Sequence, residues 1–432
     1  MTAQPTTGSR NEVTDLEEPS AGTGAPNRGS RVDDPGLAWL VAPKTTEEFF
    51  ANVYGRDFQV FGEHSASRFT DLFDWDALNR LLTEHRLDGT QLRLLNRGRL
   101  VPEYAYTAPE ITRFRQTWQR LRPGALTTQL RAGATLRLRD VDQLSAPVRD
   151  LAAALERDLR ESVGVNLYAS CTDIPGSNTH YDPHDVLVVQ LAGRKSWKIF
   201  GPRHPLPLQD DMEMSVRAPE EPITEFVLEP GQVLYLPRGW WHAVNATSGP
   251  SLHLTFGLRR ATGADLLEWV AGSLRDEDLV RADLPRFEDS QTQHAYLAEL
   301  RRLVLDRLQD PTVLDRMAVH RDAARQADPG YALPHTALAE PHLPDDDGMR
   351  AQLRARRAVV TEEQAEVLLS AGGLERRYPV AVTPVLKRLA VGREVTLAEL
   401  VAEAGSTVSS EQVGELLVDL ARAGLVALRG PE

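Results

Sequence analysis

The chain has 432 residues and a formal net charge of −13 at pH 7, a length that accommodates two or three domains with a sizeable core. This charge disfavours broad nonspecific binding to nucleic acid or anionic membranes, although it leaves room for a local basic patch. The single cysteine, Cys171, excludes an intramolecular disulfide and a cysteine-rich zinc site, and it favours a reducing, cytoplasmic location.

The first part of the chain separates into a polar tail and a segment with aromatic anchors. Residues 1–35 are rich in Thr, Ser, Gly, Pro and acidic residues, so they cannot bury enough apolar surface to order themselves and are predicted to be a disordered tail. Nothing here is typical of a signal peptide, and no apolar run approaches a membrane-spanning length. Residues 37–80 predict short helices and turns held by Trp and Phe side chains.

Short β-strands are predicted from about residue 90 onwards. Apolar residues at helical spacing predict one helix over 145–164. The remaining segments have strand length and are separated by Pro and Gly turns, which favours a double-sheet or barrel arrangement. The predicted strands cover 91–96, 134–141, 165–170, 185–193, 196–201, 225–239 and 250–260.

The pattern changes to amphipathic helices after residue 260. Segments 263–276, 293–308 and 312–327 carry apolar stripes, which makes them candidates for homodimerisation or for packing on the preceding sheets. A Pro-rich, acidic stretch at 329–348 predicts a linker. The residues from 378 to 432 follow the order helix, helix, helix, short strand, which is typical of a winged helix.

The most informative residues are His180 and Asp182, which stand two positions apart before a strongly apolar strand. In extended chain their side chains share a face, with about 6–7 Å between the two positions. His242, after a Pro and Gly turn, is the expected third ligand from a neighbouring strand. Two imidazoles and one carboxylate make the facial triad of non-haem iron(II) oxygenases. These three residues are therefore the predicted metal ligands and catalytic centre.

Histidine and aspartate two residues apart also occur as ordinary turn residues, so the pair alone is a weak signal. The hairpin that delivers His242 makes the metal interpretation the stronger one. His184 is a competing ligand, four residues after His180. Because Pro183 is expected to break the strand phase, we predict a supporting or surface role for His184.

Three stretches resemble the JmjC-type cupin hydroxylases of the ribosomal oxygenase group: THYDPHDVLVVQLAGRKSWKIFGP, LEPGQVLYLPRGWWHAV and SLHLTFGL. The resemblance covers residues 37–260 and extends to the helices and the C-terminal tail. It implies a double-stranded β-helix (the JmjC or cupin jelly roll) within an α+β protein, and it implies iron(II) with 2-oxoglutarate as cosubstrate. The reaction it implies is hydroxylation of an amino-acid side chain in a protein, with a ribosomal protein as the favoured substrate.

The resemblance also implies which residues bind 2-oxoglutarate. Lys195 stands where the family carries the basic residue for the far carboxylate, a role that suits a compact cation in a partly dry pocket. The neighbouring Arg194 should face outward by alternation. Without the resemblance, both residues are ordinary solvated turn residues after Gly193.

Further cosubstrate contacts are expected on two strands. Asn166 occupies a position where relatives place an Asn near the iron, and Tyr168 shares its strand face. Thr255 and His253 share a face on the last core strand, where one of them is expected to contact the cosubstrate or support His242. Some relatives carry Ser at the position of Gly257, so that particular contact is not expected here.

The predicted domains and partners follow from these assignments. The helix in the recognition position of the tail carries Glu411, Glu415 and Asp419, which repel phosphate, so a protein contact is expected rather than direct DNA binding. Trp240, Trp241 and Tyr181 either hold a substrate segment or pack. The domain boundaries are 1–35 for the tail, 36–260 for the catalytic domain, 261–328 for the helical dimerisation region, 329–348 for the linker and 349–432 for the winged-helix-like domain.

Other functions remain open on the sequence alone. A cupin-like binding protein without turnover would use the same fold. Hydroxylation of a peptide natural product or small molecule, and demethylation of lysine in a histone-like protein, would use the same metal ligands. Release of succinate separates the enzymes from the binding protein.

Overall fold

The computed structural model describes residues 36–202, 206–211, 218–337, 343 and 348–430. The predicted tail at 1–35 and part of the predicted linker therefore lie outside the described residues. Within the described ranges, none of the helices combines the length and the apolar character needed to cross a membrane.

Small helices at the start of the described chain pack on the edge of a large sheet. Thr45 and Glu48 form a reciprocal capping box that fixes the start of the second helix. Phe49 from that helix is buried, 5.1 Å from the ring of Tyr235 on the sheet. The elements are α1 (Leu37–Val41), α2 (Thr46–Asn52), β1 (Gln59–Phe61) and α3 (Trp75–Glu84).

The region predicted at 36–260 is built on a nine-stranded antiparallel sheet with helices packed on it. Its strand order is β1-β10-β8-β11-β7-β6-β2-β3, and β9 pairs with β8. The remaining elements of this region are β2 (Leu92–Asn96), β3 (Arg99–Leu100), β4 (Thr107–Ile111), β5 (Thr117–Leu121), α4 (Pro123–Arg131), β6 (Thr135–Leu138), α5 (Val141–Leu144), α6 (Ala146–Leu159), β7 (Ser162–Ser170), β8 (Asp185–Pro202), β9 (Thr224–Leu228), β10 (Val233–Leu236) and β11 (Trp240–Arg259).

Two long strands fold the sheet over on itself. The first half of β8 pairs with β10 and with the second half of β11, whereas its second half pairs with β9 and with the first half of β11. The register between β8 and β11 jumps from Thr247–Arg194 to Leu252–Ala192, which makes a corner at Gly193. The two halves therefore face each other across a cavity, as a double-stranded β-helix requires.

Gly193 is required at this corner. Its φ is +65°, and a Cβ placed there would lie 1.8 Å from the carbonyl oxygen of Pro250. The buried Gln190 amide closes the corner by donating to the carbonyls of Ala192 and Gly193 and to the hydroxyl of Ser251. The two strands predicted at 185–193 and 196–201 are thus one strand, whose inward-facing phase changes at the glycine.

We expect Gly193→Ala to destabilise the protein by more than the roughly 1–2 kcal/mol cost of a left-handed alanine, because the clash with backbone adds to it. Urea unfolding measures the effect. Gly164→Ala on β7 is the matched control, since no heavy atom lies within 4 Å of its added Cβ, and it should be neutral or slightly stabilising. Equal stability of the two variants would contradict the account of the corner.

Helices follow the sheet, as expected. They are α7 (Gly263–Ser273), α8 (Asp278–Arg281), α9 (Ser290–Gln309) and α10 (Val313–Ala324). The helix α9, which is described throughout, buries none of its side chains within the protomer. The apolar stripes predicted from the sequence therefore remain largely exposed here.

The C-terminal part has its own hydrophobic core, separate from that of the large sheet. The expected order of three helices and a short strand is present, and β12, β16 and β17 form a small sheet beside the helices. The three-stranded sheet β13-β14-β15 was not predicted. The elements are β12 (Arg350–Leu353), β13 (Ala358–Glu362), β14 (Glu366–Ala371), β15 (Leu374–Pro379), α11 (Thr383–Ala390), β16 (Val395–Thr396), α12 (Leu397–Ala404), α13 (Ser410–Arg422) and β17 (Val426–Arg429).

Candidate metal centre and cosubstrate cavity

The structure brings His180, Asp182 and His242 together. One ligand atom from each lies within 4.8 Å of the other two, and Nε2 of His242 is 3.7 Å from a carboxylate oxygen of Asp182. His180 and His242 also exchange two backbone hydrogen bonds, of 3.0 and 2.8 Å. Pairing of the backbone at this point fixes the distance between two ligands that lie far apart in the sequence.

Carbonyl groups orient both imidazoles. Nδ1 of His180 donates to the carbonyl of Asn178 at 2.8 Å, and Nδ1 of His242 donates to that of Trp240 at 3.0 Å. In its neutral form each ring therefore carries its proton on Nδ1 and leaves Nε2 available to a metal, which is the usual arrangement of metal-binding histidines.

Asp185 holds the turn that delivers His242. Its buried carboxylate accepts from the hydroxyl of Tyr235 at 2.6 Å and from the backbone N–H of Arg238 at 2.9 Å. Gly239 in the same turn donates to the carbonyl of Asp182 at 2.9 Å. Sequence reasoning missed Asp185, although an acid inside an apolar strand is itself a signal.

The electrostatics of the three groups suit a cation. Burial alone would raise the pKa of Asp182, but the imidazoles of His180 and His242 outweigh this effect and hold its pKa below the ordinary value. Burial, together with the neighbouring His180, lowers the pKa of His242 to about 4. At neutral pH the centre thus presents a carboxylate and a neutral imidazole, the forms that coordinate a metal.

A cavity of about 310 Å³ extends inward from these residues between the two halves of the sheet. Lys195 lies in its wall, is buried, and donates from Nζ to the hydroxyl of Ser170 at 3.3 Å. Burial lowers the pKa of Lys195 to about 7. Arg194 instead points outward to Glu229, at 3.1 Å, as alternation predicted.

The other predicted cosubstrate residues divide into two groups. Tyr168, Thr255 and His253 line the cavity, and the rings of Tyr168 and His253 stack with their centroids 5.0 Å apart. Asn166 lies opposite Thr255 in the β7–β11 register but outside the cavity lining. Its contact with a cosubstrate therefore stays a prediction.

The sequence reasoning missed several lining residues, among them the polar residues Thr135, Ser170 and Arg137. Thr135 and Ser170 share a hydrogen bond of 3.0 Å beside Lys195, and Arg137 lies opposite Tyr168 in the register between β6 and β7. Polar residues at every second position of the segment predicted at 134–141 were the available signal. That signal could not show which face of the strand meets the cavity.

His184 is not a member of the three-residue cluster among the described residues. Its ring instead lies against Gly257, where a Cβ would come within 2.8 Å of the imidazole. Tyr181 and Trp241 are buried against each other with ring centroids 5.0 Å apart, and Trp240 packs on Phe58. Packing, the alternative to substrate binding, is thus the observed arrangement of these aromatic residues.

The donor set fits a divalent transition metal such as iron(II). Two imidazoles and one carboxylate on one side leave further coordination positions toward the cavity. A bent antiparallel sheet with this cluster at the mouth of its cavity is the arrangement that the resemblance to JmjC-type cupins implied.

Residues 143–266 match the sequence profile of the JmjC domain, in agreement with the resemblance found in the sequence. It is 30% identical over 240 residues to Ribosomal oxygenase 1 of Bos taurus, covering 54% of this chain and 34% of that protein. It is 25% identical over 241 residues to the bifunctional lysine-specific demethylase and histidyl-hydroxylase NO66 of Drosophila persimilis, covering 54% and 33%. The chain thus spans about a third of the length of these curated relatives.

Solved structures show the same fold over most of the chain. YcfD, a ribosomal oxygenase from Escherichia coli, superposes with a TM-score of 0.56 at 18% identity, covering 90% of this chain and 99% of that one. A structure of YcfD in complex with cobalt and 2-oxoglutarate superposes with a TM-score of 0.55 at 19% identity, covering 89% and 98%. The predicted JmjC or cupin core within an α+β protein is confirmed.

Proposed function

We propose that the protein is an iron(II)- and 2-oxoglutarate-dependent oxygenase that hydroxylates an amino-acid side chain in a protein. The observation that carries the proposal is the convergence of His180, Asp182 and His242 at a cavity that also contains a buried amine. The YcfD complex with cobalt and 2-oxoglutarate supports the choice of metal class and cosubstrate.

Each part of the cavity has a distinct role in this proposal. His180, Asp182 and His242 would hold iron through their imidazole and carboxylate groups, and the two carbonyl contacts favour the tautomer in which Nε2 is free to bind. Lys195, with Ser170 and Thr135 beside it, holds the far carboxylate of the cosubstrate. When bound, iron(II) and 2-oxoglutarate supply the oxidising chemistry that inserts one oxygen atom of O₂ into a C–H bond and leaves succinate and CO₂.

Apolar walls complete the site. Val186, Val188, Val244 and Ala246 line the cavity and would exclude water from the carbon chain of the cosubstrate. Exclusion of water strengthens the attraction between the Lys195 ammonium and a carboxylate. The roles of Tyr168, Thr255 and Asn166 in cosubstrate binding belong to the same proposal.

The pKa of Lys195 predicts a pH dependence for cosubstrate binding. Because its amine is protonated mainly below a pH of about 7, affinity for 2-oxoglutarate should weaken as the pH rises from 7 to 8.5. The limit is about tenfold per pH unit, since binding requires the protonated fraction. Titration calorimetry at saturating manganese(II) measures this dependence.

Two variants serve as controls for this effect. Lys195→Arg keeps its charge throughout the range and should remove the pH dependence, whereas Lys195→Met should bind weakly at every pH. A flat profile for the unmodified protein would show that Lys195 does not hold the cosubstrate.

We also propose that the protein substrate is a ribosomal protein, a choice supported by the names of Ribosomal oxygenase 1 and YcfD. Mass spectrometry of ribosomal proteins from cells with the unmodified protein or a His180→Ala variant tests it. The expected result is the added mass of one oxygen atom on one protein, present only with the unmodified enzyme. Loss of a methyl group instead would identify a demethylase, and no change on any protein would favour a peptide or small-molecule substrate.

The proposed assembly is a homodimer in the cytoplasm. Exposed apolar residues on the helices support dimerisation, among them Leu267, Leu297, Leu305 and Leu314. The free, exposed thiol of Cys171 supports a reducing compartment. The tail is proposed to contact protein rather than DNA, and Asp419 on its third helix already accepts from the hydroxyl of Tyr378 at 2.6 Å.

A further inference from the structure

The segment from 91 to 139 carries a charge opposite to that of the whole chain. It contains ten arginines, no lysine and only two carboxylates, Glu103 and Glu110, for a net charge of +8 in a chain of −13. Eight of these arginines are exposed. We name them the arginine surface: Arg97, Arg99, Arg113, Arg115, Arg120, Arg122, Arg131 and Arg139.

Few of these charges are neutralised within the protein. Among the described residues, the ion pair that the arginine surface makes is that of Arg120 with Glu110, at 2.9 Å. An exposed pair of this kind holds its partner only weakly. The charges of the arginine surface are therefore available to an external anion.

Part of the arginine surface adjoins the mouth of the cosubstrate cavity. The turn between β2 and β3 is fastened to the segment that leads to His180, because the N–H of Arg97 donates to the carbonyl of Pro175 at 2.9 Å. The N–H of Gly98 donates to the carbonyl of Gly176 at 3.0 Å. Gly176 itself lines the cavity, so a ligand on this turn lies beside the reacting centre.

Turn geometry presents two of the arginines outward. Arg97 and Arg115 have φ values of 51° and 60°, in the left-handed region that non-glycine residues seldom adopt. Each stands at a turn between paired strands, Arg97 between β2 and β3 and Arg115 between β4 and β5. Asparagine or glycine would occupy either turn at lower cost, so folding alone does not explain an arginine there.

Exposed aromatic rings occur in the same segment as these charges. Tyr104 is 81% exposed and Phe114 is 74% exposed. The guanidinium of Arg113 lies 4.9 Å from the centroid of the Phe114 ring. The guanidinium of Arg86 lies 5.0 Å from the centroid of the Trp118 ring. Flat rings beside guanidinium groups are the usual platform on which unpaired bases stack while phosphates pair with the charges.

We propose that the arginine surface binds single-stranded RNA, with Tyr104 and Phe114 stacking on bases. An acidic protein would pair with the arginines, but its binding would not explain the two exposed aromatic rings in the same segment. RNA explains both features, because phosphates pair with arginine and bases stack on the rings. A consequence for the substrate rests on the proposed function. If the protein is a protein hydroxylase, its substrate reaches the cavity while the substrate is bound to RNA.

The test is fluorescence anisotropy of a labelled 20-nucleotide unstructured RNA with the full chain, without iron or 2-oxoglutarate. It therefore succeeds or fails independently of oxygenase activity. At 100 mM salt we expect a Kd on the order of 1–10 μM, in the tighter part of the range for nonspecific binding. The triple variant R113Q/R115Q/R120Q should weaken binding at least about tenfold and lower the slope of log K against log salt by about 2.

The matched control is R281Q/R286Q/R301Q, which removes the same charge from the helical region. It includes an arginine over an exposed ring, since the guanidinium of Arg286 lies 5.8 Å from the centroid of the Phe287 ring. This control should bind RNA as the unmodified protein does, whereas Phe114→Ala should weaken binding about five- to tenfold. Equal losses in both triple variants, an unchanged salt slope, or tighter binding of a poly-glutamate peptide than of RNA would overturn the proposal.

Discussion

Asp182→Ala is expected to eliminate iron-dependent formation of succinate. The carboxylate is one of three protein ligands, and it supplies the only negative charge in the cluster. Loss of even an outer partner of a metal ligand costs about 10–100-fold in affinity or activity, so we expect loss of this ligand to cost at least about 100-fold. Succinate release and iron content after anaerobic loading measure the two effects together.

His184→Ala is the matched control for this prediction. It removes a polar side chain two residues from Asp182, but from outside the three-residue cluster. Iron content should stay at one per chain in this variant. Activity retained by Asp182→Ala, or iron lost equally from both variants, would contradict the assignment of the ligands.

Arg356→Ala is expected to be among the most destabilising single substitutions in the chain. The guanidinium is buried between the C-terminal part and the large sheet region, where it donates to Asp142 at 2.6 Å and to Glu156 at 3.0 Å. It also binds Asp328 at 2.9 Å and the carbonyl of Val163 at 3.2 Å. Removal of one partner of a buried ionic network costs about 3–5 kcal/mol, because the remaining charges lose their compensation.

Thermal and urea unfolding of the full chain measure this loss. Arg350→Ala is the control, since Arg350 makes a half-exposed ion pair of 3.4 Å with Glu394, and such pairs contribute about 0–1 kcal/mol. An Arg356→Ala variant as stable as the Arg350→Ala variant would show that the network does not hold these parts together. Val163 is the second residue of β7, the strand that carries Tyr168 and Ser170, so loss of cosubstrate affinity should accompany the loss of stability.

The sequence predicted those parts of the site that depend on local pattern. Side chains two positions apart in an extended chain lie on the same face, whatever the rest of the protein does. The sequence therefore predicted that His180 and Asp182 lie close together. The outward direction of Arg194 followed from the same alternation. The Pro and Gly turn before His242 indicated the third ligand, and the resemblance then supplied Lys195; both residues come from other parts of the sheet.

The remaining parts depend on pairing between distant segments. The change of phase at Gly193 arises because β8 and β11 bend together. The sequence predicted two separate strands at 185–193 and 196–201, and no local pattern indicated that they form one. Ser170 and Thr135 meet Lys195 only after β6, β7 and β8 are assembled. The carboxylates around Arg356 lie as many as 214 positions away in the sequence, so no local pattern could identify them.

An anaerobic crystal structure with iron(II), with anomalous scattering measured at the iron edge, tests the central claim most directly. One ion held jointly by Nε2 of His180, Nε2 of His242 and the carboxylate of Asp182 is the predicted result. An ion bound elsewhere, or one held by His184 in place of any of these three, would contradict the account.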